Sequence, residues 1–68
     1  MKNIEDGRSI HSIYFPNGDC VIAGNNETLE IQNDYHGDYC IDWAILTRNG
    51  DEIARYNCRF IETIRWAD

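Results

Sequence analysis

The chain has 68 residues, with 12 carboxylates against six lysines and arginines and a net charge of −6. So acidic a surface repels the phosphates of nucleic acids and of anionic membranes, which argues against direct binding to either. A single domain over residues 1–68, with 1–8 as a flexible lead-in, sits near the lower limit for folding without staples and leaves few side chains for a deep catalytic pocket.

Acidic chains poor in aromatics are often disordered, but this one is 43% hydrophobic and 12% aromatic, a composition that folds. The opening run Met1-Lys2-Asn3-Ile4-Glu5-Asp6 is polar and does not resemble a signal peptide, and no apolar stretch approaches transmembrane length. Cys20, Cys40 and Cys58 are odd in number and form no C-x-x-C pair, so they read as free, largely buried thiols in a reducing cytoplasm.

The first hairpin signal is Asn17-Gly18. A two-residue type I′ turn there pairs Phe15 with Cys20 and Ile13 with Ile22. A second turn at Asn25-Asn26 pairs Ile22 with Leu29 and Cys20 with Ile31. Both registers put Ile13, Phe15, Cys20, Ile22, Leu29 and Ile31 on one face, which predicts a three-stranded meander over residues 10–32. Residues 33–38, Asn-Asp-Tyr-His-Gly-Asp, read as a polar loop.

Tyr39 to Thr47 is aromatic and β-branched and predicts a long, bent strand. Asn49-Gly50 then turns it onto residues 53–56, setting Leu46 against Ile53, Ile45 against Ala54 and Trp43 against Tyr56. The expected apolar face is Ile41, Trp43, Ile45, Ala54 and Tyr56, with Asp42 and Arg55 on the other. For residues 57–66 there are two readings. Either Asn57 caps a short helix, or a 3₁₀ turn near Asn57–Phe60 leads into a closing strand ending with Ile64 and Trp66. Thr63, Ile64 and Trp66 favour the strand.

The segment from Glu52 to Trp66, with its one-turn helix before a last strand, resembles small SH3-like and Sm-like β-barrels over less than a quarter of the chain. That resemblance implies a mostly β fold, a small antiparallel sheet or partly open barrel. Sm-like RNA binders carry basic residues in their binding loops, whereas this chain has no Lys or Arg between Arg8 and Arg48.

That cation-free stretch is the strongest functional signal. Asp19, Glu27, Glu30, Asp34, Asp38 and Asp42 all fall within it. If they share a face, with Tyr35 as an aromatic anchor, they form a surface that a basic, nucleic-acid-binding protein accepts in place of phosphates. In size, acidity and lack of an enzyme motif the chain resembles phage-encoded inhibitors of host nucleic-acid machinery, anti-CRISPR proteins included. Such a DNA mimic works in the cytoplasm, that of the host if phage-encoded. The alternative is a structural adaptor, a small barrel that is monomeric or forms small homo-oligomers without charge mimicry.

Three chemical constellations compete with this reading. Asp34-x-His36-x-Asp38 offers metal-ligand types, but no second cluster completes a ligand set, so neither metal nor cofactor is expected. Ser9, His11 and Ser12 are neighbours, but on a regular strand His11 and Ser12 point to opposite faces. Cys40 or Cys58 with His36 lacks an orienting group. No catalytic residue is expected. Tyr14 falls on the face opposite Ile13 and Phe15, open either to a partner or to a dimer contact.

Overall fold

A computed structural model describes residues 4–67. The chain runs β1 (Ile10–Tyr14), β2 (Cys20–Ile22), β3 (Glu27–His36), β4 (Tyr39–Arg48), β5 (Asp51–Asn57), a 3₁₀ turn (Cys58–Phe60) and β6 (Thr63–Trp66). These make two antiparallel three-stranded sheets, β2-β1-β6 and β3-β4-β5, which do not close into a barrel. The mostly β expectation holds. Among the described residues no helix is long and apolar enough to cross a membrane.

The core lies between the two sheets. Ile10 and Ile13 of the first meet Leu29, Ile31, Ala44 and Leu46 of the second. Ile10 and Ile13 are three apart and would face opposite ways on a regular strand. They share a face because β1 carries one extra residue, His11, between the pairs Ile10–Trp66 and Ser12–Arg65. This bulge resets the alternation.

Residues 6–9 join the sheets. The Gly7 N–H donates to the Ile31 carbonyl at 2.8 Å, and Ile31 donates to the Arg8 carbonyl at 3.1 Å. Asn33 N–H donates to the Asp6 carboxylate at 2.8 Å, and Ser9 bridges Glu30. Of the expected flexible lead-in, residues 1–3 lie outside the described residues, and residues 6–8 run hydrogen-bonded along the edge of β3.

The predicted first register is corrected by one residue. Tyr14 pairs with Cys20 and Ile13 with Val21, so Val21 packs against the core while Cys20 is exposed and Ile22 is 53% exposed. The reason is Pro16. In a two-residue loop Pro16 would have to donate to Asp19, and it has no N–H. Phe15 donates to the Asp19 carbonyl instead, at 2.9 Å, around a three-residue loop with Gly18 at φ +95°. Asn17 Oδ1 fixes the loop by accepting from Asp19 N–H at 3.0 Å.

The meander over residues 10–32 is also corrected, because β2 pairs only with β1. Between β2 and β3 the chain changes sheets at Gly24–Asn26. Glu27 secures that corner, accepting from Gly24 N–H at 2.7 Å and from Arg48 Nη2 at 2.7 Å. The Gly24 N–H, then the Arg48 guanidinium, hold the Glu27 carboxyl below its ordinary value. Its stabilising effect is therefore present above about pH 4.5 and is lost as pH falls through the lower folded value. Glu27→Gln is expected to lower the urea midpoint at pH 7, with the difference closing in acid once the carboxyl is protonated in the folded as well as the unfolded state. Urea titrations of both proteins at pH 7 and in acid check this.

Asn49-Gly50 forms the predicted turn, with φ +53° and +87° and Arg48 opposite Asp51. Just beyond it a bulge shifts the register, so that Leu46 pairs with Ala54, Ile45 with Arg55 and Ala44 with Tyr56. The expected face is corrected accordingly. Ala44, Leu46, Ala54 and Tyr56 face the core, and Ile41, Trp43 and Ile45 lie on the other side of the sheet. At the C-terminal end the preferred reading holds. Asn57 Oδ1 accepts from Arg59 N–H at 2.9 Å, capping the 3₁₀ turn, and β6 closes onto β1.

Candidate partner-binding arm

Residues 33–38 are not a loop. β3 runs through His36, and Gly37-Asp38 turns it directly into β4, with His36 opposite Tyr39. Gly37 has φ +57°, a positive first position and the mark of a type II′ turn. The stretch reads as polar because both of its faces are solvated, not because it is irregular.

β3 and β4 are ten residues each, whereas β5 reaches only as far as the Trp43–Asn57 pair. Residues 33–36 and 39–42 therefore extend past the three-stranded sheet as a two-stranded arm. An unsupported hairpin is marginal in water, and this one is tied down at its base. Asn33 Nδ2 donates to the Asp42 carboxylate at 2.7 Å and to the Ile4 carbonyl at 2.9 Å, while Ile4 N–H donates to Asp42 at 3.3 Å.

On the outer face of the arm Asp34 takes hydrogen bonds from His36 Nε2 at 2.8 Å and Trp43 Nε1 at 3.4 Å. The His36 bond, and less strongly that of Trp43, hold the Asp34 carboxyl below its ordinary value against partial desolvation. His36 stacks on Tyr39 at 5.3 Å between ring centroids. Arg55 lies over Trp43 at 5.3 Å. On the opposite face Tyr35 stands across from Cys40. Tyr35 and Tyr39 are 71% and 61% exposed, far more than packing requires.

The six acids do not converge on one surface. Glu30 and Asp34 share the outer face of β3, roughly 13 Å apart along the strand, and Asp38 is exposed at the tip of the arm. Tyr35 joins them. Glu27 and Asp42 are committed to the scaffold through Gly24, Arg48, Asn33 and Ile4. Asp19 sits on the other sheet, in the β1–β2 loop.

Comparison with known protein families, with curated proteins and with solved structures finds no match to this chain.

Two exposed aromatic features stand out in the structure. Tyr39 opens its strand at the tip of the arm, which its position directly after Gly37-Asp38 signals. Phe60 is 63% exposed and forms one wall of an open groove of about 640 Å³, with Phe15, Pro16, Tyr56 and Ile61 around it. Asp19 and Arg59 both line it, so the groove carries both charges.

Of the candidate metal motif, Asp34 and His36 are engaged with each other. Among the described residues no three His, Cys, Asp or Glu side chains are grouped to hold a metal. Cys20 and Cys58 are free thiols, and Cys20 is exposed, against expectation, because of the one-residue register shift. Burial, and secondarily the Asp42 charge, push the Cys58 thiol up to about 11. Thiolate is the reactive form, so a thiol reagent at pH 8 is expected to give a fast phase from Cys20, absent in Cys20→Ser, and a slow phase from Cys58. Stopped-flow absorbance would resolve the two.

Proposed function

We propose that this chain is a small binding protein, not an enzyme, which docks the β3–β4 arm on a basic surface of a nucleic-acid-binding protein and inhibits it. One observation carries the reading. An arm that overhangs its sheet exposes two tyrosines beside Asp34 and Asp38, within a stretch that has no Lys or Arg. Exposed aromatics supply anchoring area, and the carboxylates stand where a phosphate chain would meet the partner. The arginines nearest the sheet do not cancel this field, because Arg48 and Arg55 are paired with Glu27 and Glu52.

A phage anti-defence inhibitor of the anti-CRISPR kind, acting in a reducing host cytoplasm, is the setting in which such a device is useful. The test is a pull-down from bacterial lysate eluted stepwise with salt, followed by competition with duplex DNA. A basic partner that leaves as salt rises and is displaced by DNA supports charge mimicry. A partner indifferent to both removes it. The Phe15–Phe60 groove favours a second reading, an adaptor that associates through apolar contact, for which binding persists in high salt.

A further inference from the structure

The outer face of the β2-β1-β6 sheet carries a second polar constellation that does not rest on the arm. It begins with the bulge at His11. Because that extra residue breaks the alternation, His11 and Ser12 do not diverge as a regular strand would make them, and His11 Nδ1 lies 3.0 Å from Ser12 Oγ. Ser12 is fully buried and cannot serve as an accessible nucleophile. Its hydroxyl is instead a hub. It donates to Tyr14 Oη at 3.3 Å while facing the His11 ring on its other side.

The direction of these bonds matters. With Ser12 donating to Tyr14, its oxygen is left to accept from His11 Nδ1–H. Tyr14 Oη therefore accepts, and its own proton is free to point outward. Hydrogen bonds from Ser12 and then from Arg65 also hold the Tyr14 phenol below its ordinary value, which makes its O–H a stronger donor. Arg65 is the cross-strand partner of Ser12 and so emerges directly beside Tyr14.

The electrostatics are unusual for a chain of net charge −6. The charged or ionisable groups acting on Tyr14 are Arg65 and the Cys20 thiol, with no carboxylate among them. Arg48 and Arg55 each hold a carboxylate, but Arg65 makes no ion pair among the described residues. A guanidinium and a polarised phenol thus sit around one buried hydroxyl and can donate outward, and His11 joins them in its imidazolium form, with Nδ1–H on Ser12 and Nε2–H outward.

We propose that this face binds a tetrahedral oxyanion, the phosphate group of a small molecule, through Arg65, Tyr14 and His11. Three donors of different geometry around one point suit a tetrahedral anion better than a planar carboxylate, which a single Arg fork satisfies. The long-range acidity of the chain opposes the anion, so the affinity is on the order of millimolar, corresponding to roughly 4 kcal/mol of binding.

The test is an NMR titration with inorganic phosphate at constant pH and ionic strength, with chloride as the control, following the His11 and Tyr14 ring signals. Phosphoserine is titrated in parallel. Saturating shifts at both rings, with a midpoint raised at least tenfold in Arg65→Gln and weakened in Tyr14→Phe, are the expected result. Tighter binding of phosphoserine would assign the site to a phosphate monoester rather than free phosphate. Shifts that grow linearly, that chloride reproduces, that persist in Arg65→Gln or that appear equally at the remote His36 would overturn the proposal. Arg65 is exposed, so its variant keeps the fold, and a dispersed amide spectrum would verify this.

Discussion

Changing Glu30, Asp34 and Asp38 together to lysine is expected to weaken capture of the basic partner by about a hundredfold or more, equivalent to roughly 2.8 kcal/mol. The substitution moves the net charge from −6 to zero, since each reversal adds two charges. A loss of general electrostatic attraction must therefore be separated from a loss at the arm. The control reverses Asp19, Asp51 and Glu62, three exposed acids away from the arm, for the same change in net charge. If the arm is the docking surface, the control slows association and retains most of the affinity, because distant charges steer while contact charges hold. Equal losses in the two triple variants, measured by surface plasmon resonance at two salt concentrations, would remove the arm from the interface. Tyr35→Ala and Tyr39→Ala complete the set. Both side chains are largely exposed, so stability should change by no more than about 0.5 kcal/mol, and any larger effect on binding belongs to the interface.

The second large effect is on the fold itself. Ile13→Ala is expected to cost about 2–5 kcal/mol, the usual range for truncating a buried aliphatic side chain. Ile13 is fully buried at the meeting of the two sheets, beside Leu29 and Ile31. A domain this small typically has only about 3–5 kcal/mol of net stability, so the variant should be largely unfolded at 25 °C. Circular dichroism with urea titration reads this directly. Ile22→Ala, one strand away but exposed, should be close to neutral. A severe loss at Ile22 as well as at Ile13 would mean that the β1–β2 register is the one in which Ile22 faces inward.

Composition and local turn chemistry were enough to establish several things about this protein. The β-rich class, the type I′ turn at Asn49-Gly50, the Asn57 cap, the 3₁₀ turn and the closing strand through Trp66 all follow from residues within a few positions of one another. The cation-free stretch from residue 9 to residue 47 is likewise a property of the chain alone.

Registers and faces were decided at longer range. A missing N–H at Pro16 displaced the first hairpin by one residue, and bulges at His11 and beside Leu46 displaced two more pairings. Because side chains alternate with period two, each one-residue displacement exchanged the buried and exposed sets. This is how Cys20 and Ile22 came to the surface, how Trp43 and Ala44 exchanged faces, and how His11 came beside Ser12. Nor does sequence polarity distinguish a loop from a solvated hairpin, which is why the arm was legible only once β5 was seen to stop at Asn57. The acids were visible from the start, but which of them stay free was not. Glu27 and Asp42 are held by partners 3 to 38 residues away, and the β3–β4 register and the path of the N-terminal segment bring the distant ones within reach.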